Sequence, residues 1–218
     1  MLKDSKYYSK ILLFGEYGII KDSMGLSIPY NDYNGTFIFS DKKTEFSAKS
    51  NASLNKFYQH ILSLENTDKL PCKLNLKQFK TDIEKGIFFD SSIPQGFGVG
   101  SSGALVAAVY DKYCENKISA STKVTNKNIL QLKKVFGQLE SFFHGTSSGL
   151  DPLICYLNLP VLIKSKQELG TVGLPKSSQG KGAIFLMNTG QTGETQPLVQ
   201  HFLENSNLHL YSLLLTYY

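Results

Sequence analysis

The sequence predicts an α+β fold in which strands come first and helices pack on them afterwards. Short runs of strand-forming residues precede a glycine-rich loop at residues 93–103, and helical patterns follow that loop. These elements do not alternate as repeated strand–helix–strand units, which would have indicated a parallel sheet. The order therefore favours an α+β fold over repeated strand–helix–strand units.

Before the loop, three strands and one helix are predicted. Residues 11–14 form a short apolar run, residues 36–40 alternate strand-forming side chains, and residues 87–90 lead directly into the loop. A helix is expected between them at residues 54–64, where apolar side chains recur at helical spacing.

After the loop, the pattern becomes helical. Residues 102–115 are apolar nearly all round, which is typical of a buried helix. A second helix is predicted to begin at Asn126 or Asn128 as its cap and to run to about His144, where Gly145 would end it. Three later segments are predicted as two strands and the start of a helix: residues 161–164, 183–188 and 195–203.

Length and composition narrow the class of protein. The 218 residues suit one or two domains, and 41% hydrophobic with 19% charged residues is ordinary for a globular chain. The net charge of +5 suits an anionic ligand, but the lysines form pairs rather than a stripe, so nucleic acid is not expected. No apolar run reaches the length of a membrane span, so no membrane partner is expected. Three widely spaced cysteines predict reduced thiols in a cytoplasmic protein.

The glycine-rich loop is the first candidate site. Its glycines let the backbone approach a ligand, and the free amides of the helix that follows suit phosphate oxygens. It is neither a Walker A loop, which needs a Lys after the last Gly, nor a Rossmann fingerprint. A glycine-rich turn with a purely geometric role is the alternative. The candidate ligand-binding residues are Pro94, Gly96, Gly98, Gly100, Ser101 and Ser102.

A pair of carboxylates forms the second candidate site. Glu140 lies near a helix C-terminus, where a carboxylate is unfavourable unless a cation binds nearby. Asp151 precedes Pro152 and is expected in an extended or turn conformation. Glu140 could bind Mg²⁺ and Asp151 could accept a hydroxyl proton, although both could also be ordinary surface carboxylates. A hydrolase triad through His144 is disfavoured because the loop lacks a GxSxG elbow, so His144 is interpreted as structural.

Lys10 precedes the first apolar strand. A lysine close to Asp151 would keep that carboxylate ionised, but a surface lysine beside a core strand is the simpler interpretation of this segment alone.

Three segments in this order resemble the GHMP kinases. KILLFGEYGII resembles the family's first motif, PQGFGVGSSGAL its second, and ESFFHGTSSGLD the E-x-x-x-HG-x-PSG-x-D segment of mevalonate kinases. The resemblance extends from about residue 7 to residue 204. It implies a ribosomal-protein-S5-like N-terminal domain at residues 1–180 and the start of a ferredoxin-like domain at residues 181–218. Residues 170–182 carry Gly, Pro, Lys and Ser without clear periodicity, and this composition by itself predicts a linker or a long hairpin connection.

The resemblance also implies roles for individual residues. Ser102 and Glu140 would hold Mg²⁺, and the glycine-rich loop would line the triphosphate of ATP. Asp151 would be the catalytic aspartate and Lys10 its partner. The residues implied around the acceptor are Glu16, Tyr17, Ser148 and Thr195.

Several positions depart from the family pattern. Tyr17 stands where many mevalonate kinases carry His, Gly103 replaces an Ala, and Thr146–Ser147 replaces x-Pro. No segment after residue 188 resembles the family's third, GAGGGG-type motif. We therefore expect a chain that stops well before the end of the family's second domain.

The resemblance implies an ATP-dependent phosphotransferase acting on the hydroxyl of mevalonate. The nearest alternatives are another small-molecule acceptor of the same superfamily, such as phosphomevalonate or a sugar. A catalytically inactive fragment or binding module is a further alternative. In that case an exposed inter-domain face would favour self-association, so a homodimer stays open.

Overall fold

The computed structural model describes residues 5–39, 44–120, 124–173, 186–187, 190, 192–193 and 197–205. Its sheet contains five strands: β1 Tyr7–Phe14, β2 Gly25–Phe39, β3 Ile87–Ser91, β4 Val161–Ile163 and β5 Leu169–Thr171. Its α-helices include α1 Glu45–Asn66, α2 Leu76–Glu84, α3 Ser101–Tyr113, α4 Asn126–His144 and α5 Leu150–Leu157. A short 3₁₀ helix spans Gly18–Lys21, and residues 197–205 are helical. The α+β prediction is confirmed.

The long strand β2 organises the sheet. It pairs antiparallel with β1, β3 and β4, while β5 extends the sheet beyond β4. The register between β1 and β2 shifts between Tyr8 and Ser9. Ser9 and Lys10 are both buried, although side chains of neighbouring strand residues usually point to opposite faces. The irregularity therefore accompanies the burial of a lysine inside the fold.

Helix α3 is the central helix of the core. Its alanine and valine residues are fully buried, and it packs against α4, α5 and the sheet. The predicted face of α4 is likewise confirmed as buried. Its core residues are Ile129, Leu132, Val135, Phe136 and Leu139.

Helix caps explain where two helices begin. Helix α1 begins nine residues earlier than predicted because Thr44 and Ser47 form a reciprocal capping box. The cap of α4 is Thr125, so the predicted caps Asn126 and Asn128 were wrong. The Thr125 hydroxyl accepts the N–H of Asn128, while the Asn126 side chain accepts the N–H of Leu169. A threonine and an asparagine are comparable caps locally, and the tertiary contact of Asn126 decided between them.

Other sequence-based expectations need correction. Helices α2 and α5 were not predicted, and residues 169–171 form β5 where a linker was expected from residue 170. Within the predicted strand at 183–188, only residues 186–187 are described, and they lie outside any strand. The predicted helix at 195–203 is helical from residue 197, and residues 195–196 lie outside the described part. The proposed domain boundary after residue 180 also lies outside it.

The three cysteines carry free thiols, as predicted. Among the described residues, no helix is both long and apolar enough to cross a membrane.

Candidate active site

Lys10 and Asp151 form an ion pair across the fold. The Nζ atom of Lys10 lies 2.9 Å from Oδ1 of Asp151, and the lysine side chain is 9% exposed against 39% for the aspartate. Burial alone would lower the pKa of Lys10, but the charge and hydrogen bond of Asp151 outweigh it and raise that pKa. The lysine therefore stays charged and holds a carboxylate that remains accessible.

The structure corrects the expected conformation of Asp151. It is the second residue of α5, not an extended or turn residue, and Gly149 precedes the helix in a left-handed conformation with φ 72°. Pro152 fits the first helical turn because the N–H it lacks would have no partner within the helix. The positive end of the helix dipole also favours a carboxylate at this position.

The glycine-rich loop joins β3 to α3, as predicted. Gly96, Gly98 and Gly100 have φ values of 80°, 69° and 87°, a conformation that favours glycine. A Cβ atom at Gly100 would lie 2.9 Å from Cγ of Lys10, so the loop must approach the lysine closely. The backbone N–H of Lys10 also donates to the carbonyl oxygen of Val99 at 3.0 Å.

The start of α3 is suited to an anion. Gly100 is the N-cap, and no side-chain hydrogen bond caps the helix there. The amides of the first turn and the helix dipole therefore present partial positive charge near Ser101 and Ser102.

A cavity of about 1000 Å³ connects these elements. It extends from Asp151 along the glycine-rich loop to a face of α1 that includes Phe46, Lys49 and Ser50. All six loop residues predicted to bind the ligand line it: Pro94, Gly96, Gly98, Gly100, Ser101 and Ser102.

Glu140 lies beside the start of α3 and is only 4% exposed. Its Oε1 atom accepts the Ser102 hydroxyl at 3.2 Å, and its Oε2 atom accepts the Ser147 hydroxyl. Burial, followed by the charge of Asp151, raises the pKa of Glu140 to about 7, against the lowering effect of both hydroxyls and of Lys10. A cation bound at this carboxylate would favour its ionised form.

The Ser102 and Glu140 side chains fit a magnesium ion that also binds phosphate. Mg²⁺ prefers oxygen ligands and usually takes one or two carboxylates besides phosphate oxygens and water. A hydroxyl and a buried carboxylate stand here at hydrogen-bonding distance, beside the loop suited to phosphate. Within the described part of the chain, no cluster of three or more His, Cys, Asp or Glu could hold a metal ion. A cation at Ser102 and Glu140 would therefore need phosphate or water oxygens as further ligands.

The residues predicted to surround the acceptor do not cluster at the cavity as the loop residues do. Tyr17 stacks on Phe202 with ring centroids 5.6 Å apart, and the charge of Glu16 acts on Lys10. The Ser148 hydroxyl accepts the N–H of Leu150 at 3.3 Å. None of Glu16, Tyr17 and Ser148 lines the large cavity, and Thr195 lies outside the described residues.

Three residues at the site were missed or undervalued by the sequence analysis. The Nε2 atom of His144 lies 3.2 Å from the Ser102 hydroxyl, so His144 faces the site. Its spacing of four residues from Glu140 on one helix was the available signal. Ser147 and the buried Cys155, whose thiol lies 3.7 Å from the carbonyl oxygen of Gly100, had no comparable signal.

The solved structures similar to this chain include three mevalonate kinases. The enzyme from Methanococcus jannaschii is 17% identical, with 78% of this chain and 56% of that chain covered and a TM-score of 0.46. The L. major enzyme in complex with R-mevalonate is 17% identical, with 74% and 48% covered and a TM-score of 0.41. The enzyme from methicillin-resistant Staphylococcus aureus is 18% identical, with 77% and 54% covered and a TM-score of 0.41. This chain spans about half the length of these enzymes.

Two further comparisons use the amino-acid sequence instead of the structure. No curated protein matches the sequence significantly. Residues 55–158 match the family described as the GHMP kinases N terminal domain. The matched region includes the glycine-rich loop, Glu140 and Asp151, whereas Lys10 precedes it. Residues 55–158 of this chain are therefore similar to the N-terminal domain of the GHMP kinases.

Proposed function

We propose that this chain is part of an ATP-dependent kinase that phosphorylates a hydroxyl group of mevalonate. The contact between Lys10 and Asp151, 2.9 Å apart beside the glycine-rich loop, is the observation that supports it best. Phosphoryl transfer needs a phosphate cradle, charge neutralisation and a group that orients or deprotonates the acceptor. The described residues that line one cavity, or contact its lining residues, offer a candidate for each requirement.

Asp151 acts on the acceptor hydroxyl in this proposal. Its carboxylate accepts the hydroxyl proton as the acceptor oxygen bonds to the terminal phosphorus of ATP, and the bond from that phosphorus to ADP breaks. Lys10 pairs with the carboxylate at 2.9 Å and offsets negative charge on the transferred group. The exposed part of Asp151 faces the cavity in which both substrates would meet.

The loop and the start of α3 bind the phosphates. Free amides of the first helical turn, near Ser101 and Ser102, donate to phosphate oxygens, and the glycines let the ligand approach the backbone. Ser102 and Glu140 would hold Mg²⁺, which neutralises phosphate charge when bound. The face of α1 at the far end of the cavity, with the apolar Phe46 beside the polar Lys49 and Ser50, is available to the nucleoside.

Mevalonate is the acceptor favoured by the sequence. The ESFFHGTSSGLD segment resembles the one typical of mevalonate kinases, and this resemblance is an analogy of motif. Phosphomevalonate and sugars are the rival acceptors. Glu16, Tyr17, Ser148 and Thr195 remain proposed acceptor residues, and residues 181–218 remain the proposed start of a ferredoxin-like domain.

A transfer assay tests the proposal. The purified chain is incubated with labelled ATP and Mg²⁺ and offered mevalonate, phosphomevalonate or a sugar in separate reactions. The matched variants are Asp151→Asn and Asp90→Asn, since Asp90 is an exposed residue on β3, next to the loop. We expect transfer to mevalonate that D151N abolishes and D90N preserves.

Other outcomes would redirect the assignment. Transfer to another acceptor with the same dependence on Asp151 would replace mevalonate and retain the kinase. Binding of a fluorescent ATP analogue without any transfer would support the nucleotide-binding module instead. The absence of both binding and transfer would overturn the proposal.

A further inference from the structure

The Ser147 hydroxyl connects the two carboxylates of the site through hydrogen bonds. It donates to Oε2 of Glu140, and its oxygen accepts the N–H of Gly149 at 3.0 Å. Gly149 is the N-cap of α5, the helix that carries Asp151 in its first turn. One side chain therefore joins the buried carboxylate of α4 to the start of the helix that presents the accessible carboxylate.

Glu140 is held at both of its oxygens. Ser102, on α3, donates to Oε1, and Ser147, in the loop between α4 and α5, donates to Oε2. Removing one donor would leave a buried carboxylate oxygen without that partner, which is unfavourable and allows the carboxylate to rotate. The pair of hydroxyls thus defines how the carboxylate is turned.

The backbone around Ser147 is positioned by two close approaches to α4. A Cβ atom at Gly137 would lie 3.0 Å from the carbonyl oxygen of Ser147. A Cβ atom at Gly149 would lie 2.1 Å from the carbonyl oxygen of Lys133. Both glycines are needed for the loop to lie directly on the helix, so packing determines where the Ser147 hydroxyl stands relative to Glu140.

Serine at position 147 departs from the pattern of the segment that this chain resembles. Proline stands here in the segment that the chain resembles, and proline has no hydroxyl to donate. A proline would stiffen the loop through its ring. In this chain a hydrogen-bonding side chain occupies the position and contacts Glu140 directly.

We propose that Ser147 is a positioning residue that orients the Glu140 carboxylate for a divalent cation and ties it to the start of helix α5. This inference rests on the proposed function, in which Glu140 binds Mg²⁺ and Asp151 accepts a proton. Residues that hydrogen-bond to a metal ligand commonly change metal affinity about 10- to 100-fold when they are removed.

The test compares two variants of nearly equal shape. S147T keeps the hydroxyl and S147V lacks it, while T146V makes the same exchange at the preceding, exposed residue of the loop. The affinity for Mn²⁺, a paramagnetic substitute for Mg²⁺, is measured by electron paramagnetic resonance on the full chain with ADP. Circular dichroism checks that each variant is folded. We expect the Mn²⁺ affinity of S147V to be at least about 10-fold lower than that of the wild type. The affinities of S147T and T146V should lie within about twofold of wild type.

The outcomes separate this inference from the function beneath it. Equal Mn²⁺ affinities of S147V and S147T would overturn the role of Ser147, since only the hydroxyl differs between them. A wild-type chain that binds ADP but no Mn²⁺ would overturn the cation site of the proposed function, and the role of Ser147 with it. If S147V does not fold, S147A compared with S147T decides the same question.

Discussion

A Cβ atom at Gly103 would lie 2.8 Å from the carbonyl carbon of Asp151. Helices α3 and α5 therefore meet backbone to backbone at this point, with no room for a side chain between them. This contact places the start of the phosphate-suited helix beside the residue proposed to accept the proton. Glycine here is a packing requirement, although the related motif carries alanine.

Gly103→Ala should destabilise the chain because α3 and α5 must separate to accommodate the methyl group. Overpacking of this kind typically lowers the free energy of unfolding by about 1–3 kcal/mol. Urea denaturation measures the loss. Gly170→Ala is the control, since nothing lies within 4 Å of a Cβ atom there, and it should be near neutral. Equal stabilities of the two variants would contradict the close contact.

Lys10→Met should abolish most of the proposed kinase activity while leaving nucleotide binding nearly intact. The substitution keeps an apolar stem of similar length but removes the charge that pairs with Asp151. We expect kcat to fall about 100-fold or more with little change in the KM for ATP.

A double-mutant cycle gives the sharper result for this pair. K10M and D151N should be strongly non-additive, because each removes the partner of the other. Additive losses in kcat would show that the two residues act separately.

Glu140→Gln should make the chain more stable above neutral pH. The pKa of Glu140 is raised to about 7 in the folded chain, from 4.5 as the ordinary value. A raised pKa contributes stability below about pH 4.5, and that contribution is lost as the pH rises through about 7. At about 1.4 kcal/mol per pKa unit, the wild type should lose about 3 kcal/mol relative to E140Q across this window.

Denaturation curves of E140Q and wild type at pH 5 and pH 8 measure most of that difference. Glu84→Gln, at an exposed residue near the end of α2, should retain the pH dependence of the wild type. A stability difference between E140Q and wild type that does not change with pH would contradict the raised pKa of the buried Glu140 carboxylate.

Tyr17→Ala should loosen the helical segment at residues 197–205. Tyr17 stacks on Phe202, and such aromatic pairs contribute about 0.5–1.5 kcal/mol beyond their buried area. Hydrogen exchange of the amides in residues 197–205 should become up to about 10-fold faster in Y17A and change little in Y17F. Unchanged exchange in Y17A would show that other contacts hold the segment.

Features that depend on neighbouring residues were predictable from the sequence. The glycine-rich loop between a strand and a helix, the buried face of α4 and its end at Gly145 all follow from local spacing and backbone preference. The extended or turn conformation predicted for Asp151 was wrong because the rule for residues before proline is weaker at a helix N-terminus, where proline fits well.

The sequence by itself determined which chemical groups are available: the phosphate-suited loop, two carboxylates and a lysine before the first strand. The resemblance of motifs implied that Lys10 is the partner of Asp151, and the tertiary structure places the two in direct contact. Only the tertiary structure decided that Glu140 is buried between two hydroxyls and that His144 and Ser147 join the site. Local patterns follow from backbone geometry over a few residues. Contacts between distant residues depend on how closely β1, α3, α4 and α5 pack, and glycines such as Gly103 and Gly149 control that distance.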